Sequence, residues 1–326
     1  MAFCETLGDG HFEDERVEIV HDWPSQHTKI GTKEKVPSEV TYQPEGLLWG
    51  SMIPPNVQRH MWTKLELENR PIGEAAKIHQ ESVLNSSIPY KSPVDIIADF
   101  LSQVKGHLME VLNRRYGEEL WRTLPITLVV TMPAVWSDVA KARTRQAVDK
   151  AGFNAAQFPQ LTEIIDATEP ECAAIHTIRT LRGTAHDSHF AKDDGFILCD
   201  MGGGTVDLIS YSIAKLSPTI IEEITVGSGD QCGGTFVDRA FLKWLELRLG
   251  TEDFVKIAGC RSEQIPRTML SKKAARMLQN FTLEIKGSFS GTESYTLQLP
   301  SPLSAIGDDE ERGIEDGKIE ITVSVI

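Results

Sequence analysis

Between positions 200 and 207 the chain reads D-M-G-G-G-T-V-D, two carboxylates and a hydroxyl set around three consecutive glycines. The apolar run FILC precedes this stretch and the alternating run VDLISYSI follows it, so the glycines join two predicted strands. Lacking a Cβ, Gly202, Gly203 and Gly204 can take the positive-φ geometry in which successive N–H groups converge on an anion. Asp200 and Asp207 are then placed to hold a hydrated Mg²⁺, and Thr205 offers its hydroxyl. The chemistry this points to is phosphate binding with a metal alongside.

Other phosphate loops do not fit. A G-x-x-x-x-G-K-[ST] loop leads from a strand into a helix, and G-x-G-x-x-G also opens a helix; neither pattern occurs here. A second glycine turn follows at 227–234, and Gly233 with Gly234 would let a ligand approach the positive end of a helix that begins there. Thr235 and Asp238, three residues apart, are expected to form that helix's N-terminal box. The two turns are expected to frame one anion.

The elements that must position these residues follow from hydrophobic period. Short strands are expected at 17–20, 39–42 and 47–49, within a proline-rich first ninety residues. Apolar residues from Ile96 to Leu112 recur at three and four, predicting a helix over 93–116 with Pro93 in its first turn and Gly117 as its stop. A buried strand at 126–131 leads to a helix capped by Ser137 and ended by Gly152. A short strand over 161–165 precedes a helix with Pro170 at its first position, and 220–226 reads as a strand. The polar stretch 183–195 is expected to be the seam between two lobes.

Composition bounds the partners. Of 326 residues, 33 are Lys or Arg and 47 are Asp or Glu, giving net charge -14. With no cationic patch visible, nucleic acid is not an expected partner. No run approaches the roughly 20 apolar residues of a membrane helix, and the N-terminus lacks a secretory h-region. Five cysteines without a C-x-x-C pair suggest reduced thiols in the cytoplasm. The acidic stretch 308–320 has Arg312 and Ile319 at the fifth and twelfth ligand positions, so it reads as a solvated loop and not a calcium site.

Four segments in order resemble the nucleotide-binding domain of the heat shock protein 70 family, within the actin-like ATPase superfamily. LVVTMPAVWSDVAKARTRQAVDKAGF resembles its V-P-A-x-F strand-to-helix unit, and TEPECAAI its N-E-P-x-A-A-A element. LCDMGGGTVDL resembles its second phosphate loop, and GDQCGGTFVDRAF its G-G-x-x-x-D helix start. VHDWPSQ, KVPSEVTY and LLWG resemble a divergent fungal branch of that family.

The resemblance implies an α/β, ribonuclease-H-like actin-type fold of two lobes, each with a mixed sheet and flanking helices. Residues 1–190 would form the first lobe and 191–326 a partial second lobe. It implies ATP or ADP with Mg²⁺ as cofactors, and client or co-chaperone proteins as further partners. Glu169, Asp200 and Thr205 are the implied catalytic residues. Gly202, Gly203, Gly204, Thr205, Gly233, Gly234 and Lys286 would hold the nucleotide, and Asp200 and Asp207 the metal.

The departures from the family pattern bear on activity. The family's first phosphate loop, D-x-G-T-T, has no counterpart; GDGHFED at 8–14 lacks its strand and threonines. Lys64 in MWTKLELE is the weak candidate for the family's catalytic lysine, with a solvated surface lysine as the favoured reading. Lys286 is followed by Gly287 where the family has Lys-Arg, and the segment closing the adenosine pocket is missing. The chain therefore reads as a truncated domain, either an ATP-hydrolysing chaperone-like protein, a non-catalytic remnant acting as an interaction module, or, third, a small-molecule kinase.

Overall fold

The structure, a computed structural model, describes residues 1–4, 17–25, 35–54, 57–68, 91–184, 190–267, 270–288, 290 and 292–322. The GDGHFED stretch and part of the 183–195 seam lie outside these residues. The fold is mixed α/β, with helices set among several small sheets.

Near the N-terminus, β1 (Ala2–Phe3) pairs antiparallel with β2 (Glu18–Ile19), and β3 (Val40–Gln43) with β4 (Gly46–Trp49). Helix α1, Pro93–Tyr116, starts where expected: the Ser92 hydroxyl accepts the Asp95 amide and proline takes the first turn. A short helix α2 (Glu118–Trp121) follows. Strand β5 (Ile126–Met132) pairs in parallel with β6 (Leu161–Thr168), and between them α3 (Asp138–Lys150) starts under the Ser137 cap. Helix α4, Glu169–Leu181, is capped by Thr168, with Pro170 as its second residue and not its first.

The glycine-rich region sits at one end of an antiparallel meander. Strand β7 (Gly195–Met201) pairs with β8 (Val206–Leu216), and β8 with β9 (Thr219–Asp230). Period-two alternation assigns the faces as the sequence demands: Asp207, Ile209, Tyr211 and Ile213 of β8 are all buried. Ile209 and Tyr211 pack with Ala174 of α4, so this sheet and that helix share a small core. The opposite face leaves Ile197 73% and Met201 75% exposed.

After the meander, α5 (Gly234–Leu249), α6 (Thr251–Ala258) and α7 (Lys272–Asn280) surround the largest core. Phe241 of α5 stacks on Phe281 at 4.0 Å between ring centroids. The C-terminal sheet, β10 (Tyr295–Gln298), β11 (Ile314–Glu315) and β12 (Lys318–Ile321), closes that core from the other side. The acidic stretch is therefore not a simple solvated loop: it contains the β11–β12 hairpin, and Arg312 pairs with Asp253 and Asp309 at 3.0 and 3.2 Å.

Candidate phosphate and metal site

Hairpin register places the two acids together. Asp200 of β7 is the cross-strand partner of Asp207 of β8, with the triglycine turn immediately beyond them. Opposed residues on one face of an antiparallel pair lie about 5 Å apart at Cβ, and like charges so placed repel. Asp207 is only 2% exposed, and its Oδ1 atom is buried without a hydrogen-bond partner. Burial pushes its carboxyl above the ordinary carboxylate range; the Asp200 charge adds to that, while the Thr205 hydroxyl and Lys64 ammonium oppose it. An orphaned buried carboxylate oxygen beside a second carboxylate is a donor set that fits a divalent cation.

No group of three or more His, Cys, Asp or Glu side chains forms a metal cage among the described residues. Mg²⁺ does not require one, because it keeps several waters and is bound through one or two carboxylates.

The third acid arrives from α4. Glu169 is the first residue of that helix and forms an ion pair with Lys64 at 2.5 Å. Lys64 also lies 5.7 Å from the centroid of the Trp136 ring. Lys64 is a surface lysine, as expected, with its side chain 48% exposed, yet it bonds Glu169 and acts electrostatically on Asp207, linking two acids from separate segments.

The glycines work differently from expectation. None of Gly202, Gly203 and Gly204 has φ in the left-handed region. Space is what most of them provide. A Cβ at Gly233 would come within 2.6 Å of the Gly202 oxygen, and one at Gly204 within 3.4 Å of Leu65, whereas a Cβ at Gly203 would meet nothing. The two turns bond to each other: the Gly233, Gly234 and Thr235 amides donate to the Gly204, Gly202 and Gly203 carbonyls at 3.2, 2.9 and 2.9 Å. The first amides of α5 therefore face carbonyl oxygens, not a shared anion cavity.

The expected Thr235 and Asp238 box does not form. Gly233 is the N-cap of α5 without a side-chain cap bond. The Thr235 hydroxyl donates to the Gly203 carbonyl at 2.7 Å, and Asp238 pairs with Lys286 at 2.8 Å. Lys286 also donates to the Gly234 carbonyl at 2.6 Å, which places it beside the second glycine turn.

Reading the sequence missed Gly229. Its Cβ would run into Asp207 Oδ1, and one at Gly227 would crowd Ile209 at 2.8 Å. The small residues of β9 let the neighbouring strand bury an acid. The signal was the G-S-G-D repeat one hairpin beyond the Asp-bearing strand.

No protein-family model matches the chain. Among curated proteins it is 28% identical over 163 residues to the chaperone protein HscA homolog of Acinetobacter baumannii, covering 50% of this chain and 22% of that protein. The HscA homolog of Acinetobacter baylyi is 29% identical over a stretch of the same length. That of Haemophilus influenzae is 25% identical over 240 residues, covering 72% of this chain and 34% of the relative. The similarity is distant and partial, and the matched region spans between about a fifth and a third of the relatives' length.

Proposed function

We propose that this chain is the nucleotide-binding unit of a heat shock protein 70-type chaperone, binding Mg-ATP between a first lobe of residues 1–190 and a second of 191–326. The observation that carries this reading is the convergence of Lys64, Glu169, Asp200, Asp207 and the triglycine turn from four separate segments. The similarity to HscA homologs supports the chaperone assignment. The cytoplasm is the proposed compartment, with client or co-chaperone proteins as the proposed partners; no helix of the described residues is long and apolar enough to cross a membrane.

Asp200 and Asp207 would hold the metal, and the turn at 202–204 with Thr205 would face the terminal phosphates. ATP would supply the scissile phosphoanhydride, and Mg²⁺ the positive charge that offsets the two aspartates. Glu169 would orient a water, and Lys64 would hold the Glu169 side chain in place across a 2.5 Å pair. Such a site works by positioning and charge neutralisation, with little covalent work asked of the protein. Gly233, Gly234 and Lys286 border the same turn from α5 and the segment after α7.

A second reading, an interaction module without nucleotide, is favoured by one observation: the α5 amides are bonded to the turn's own carbonyls. Calorimetry with Mg-ATP separates the two. Saturable heat in the wild type, lost in Asp200→Asn and in Gly203→Val, supports the ATP site; no heat in any of the three supports the module. Gly203 suits this test because a Cβ there meets nothing, so the folded turn tolerates added bulk.

A further inference from the structure

Residues 60–68 cross the candidate site as a strap fixed at both ends. At one end His60 and Val40 exchange backbone hydrogen bonds at 2.8 and 3.2 Å. At the other, the Glu68 carboxylate accepts the Ser137 amide and hydroxyl at 2.9 and 3.0 Å, and Arg143 donates to the Leu67 carbonyl. Between these anchors the strap touches three parts of the site. Lys64 pairs with Glu169, Leu65 lies against Gly204, and Trp62 stacks on Phe236 of α5 with the ring planes 4° from parallel and centroids 5.8 Å apart.

Trp62 holds its place under constraint. Its φ is 60°, a left-handed value that a bulky side chain adopts only where the surroundings fix it. The fixing partners are Phe236 and the Arg239 guanidinium, 5.4 Å from the Trp62 ring, both in the first turns of α5. That end of α5 is itself bonded to the glycine turn through three amide–carbonyl contacts. Strap, helix start and turn therefore form one closed circuit.

We propose that the strap is a latch, with the Trp62–Phe236 stack as its catch, that couples occupancy of the glycine turn to the position of the α5 start. This rests on reading the turn as a phosphate holder. An anion can use the Gly233, Gly234 and Thr235 amides only when the carbonyls of 202–204 release them. Anion binding therefore favours the released arrangement, and a ligand shifts such an equilibrium by its differential affinity for the two states. Breaking the catch removes the requirement to open it, so nucleotide should bind tighter, by about threefold to tenfold given the usual strength of an aromatic pair.

The experiment is a Mg-ATP titration of the full chain followed in parallel by calorimetry and tryptophan fluorescence. Trp62 is one of six tryptophans, so its signal is the difference between wild type and Trp62→Phe, a variant that keeps an aromatic stack. The expected result is an emission change on binding in the wild type, absent from Trp62→Phe at unchanged affinity. Trp62→Ala and Phe236→Leu should each bind about threefold to tenfold tighter, and the double variant no tighter than either. Should Trp62→Ala fail to fold, the difference signal and Phe236→Leu still decide. Saturable heat of equal affinity in every variant, with no Trp62 signal, overturns the latch and leaves the nucleotide site standing. No heat in the wild type with Mg-ATP or with pyrophosphate overturns the phosphate reading and the latch together.

Discussion

Asp200 and Asp207 face each other across the β7–β8 hairpin, and the second of them is buried with one carboxylate oxygen unpartnered. Removing that charge should therefore help the metal-free protein. Asp207→Asn is expected to raise apo stability by up to about 1 kcal/mol, the scale of a cross-strand pair, because it removes a like charge directly opposite Asp200. It should also abolish any stabilisation by MgCl₂. Thermal unfolding with EDTA and with millimolar MgCl₂ checks both outcomes; a variant that is less stable without metal and still responds to it would contradict the assignment.

The same carboxyl predicts a pH slope. Its folded pKa lies above its unfolded value, because burial and then the Asp200 charge raise it. In the window between the two, the unfolded chain gives up the proton first, so stability falls as pH rises. Denaturant midpoints from pH 4 upward should show this fall in the wild type and lack it in Asp207→Asn.

Glu246 gives the opposite sign at the acid end. Burial pushes this carboxyl up, but the Ser262 hydroxyl and amide, the Thr251 hydroxyl and Arg261 outweigh it, and the net shift is downward. Its stabilising contribution is complete above the ordinary glutamate range and is lost as pH falls through the lowered folded value. Glu246→Ala should cost about 2–3 kcal/mol, measured by urea unfolding at neutral pH, because it removes charged hydrogen bonds that hold α5 to the 261–262 turn.

Three glycines should behave differently on conversion to alanine. Gly203→Ala meets no atom and is expected to change stability by less than about 1 kcal/mol. Gly233→Ala drives a methyl into the turn's backbone, and Gly229→Ala into Asp207, so each should cost about 2 kcal/mol or more. Equal losses at all three, by urea unfolding, would show that the two turns do not pack as described.

Lys64 and Glu169 separate function from stability. Their pair is partly solvent-exposed, with the lysine side chain 48% accessible, so Lys64→Met should change stability by no more than about 1 kcal/mol. If the site hydrolyses ATP, the same change should lower turnover by about 10²-fold or more, since it removes a fixed charge from the reacting region. A single-turnover assay measures this, with unfolding curves as the control.

Much of the scaffold was legible in the sequence because it rests on local rules. Ser137 caps its helix as its residue type demands, helix 93–116 has the expected bounds, and the alternating run 206–213 forms a strand. The site was legible in its acids but not in their links. Lys64 meets Glu169 across 105 positions, and no local pattern records so distant a pair. Thr235 has the spacing of a capping box, yet its hydroxyl goes to Gly203, because the tertiary approach of the two turns supplies a nearer acceptor. The glycines were recognised, but their purpose was misassigned: Gly202, Gly203 and Gly204 do not use the left-handed region, and Gly233 serves the close approach of the two turns to each other.

The outer surface of the meander has a practical outcome at the bench. Ile197 and Met201 on β7 and Val226 on β9, the two strands that flank β8, stand 73, 75 and 94% bare, on a molecule whose charge of -14 supplies mutual repulsion. Raising ionic strength from 0.01 to 1 M shortens the reach of that repulsion from about 30 Å to about 3 Å. The particle size seen by light scattering should therefore grow with added sodium chloride, and dilute, low-salt buffers should keep the preparation monodisperse.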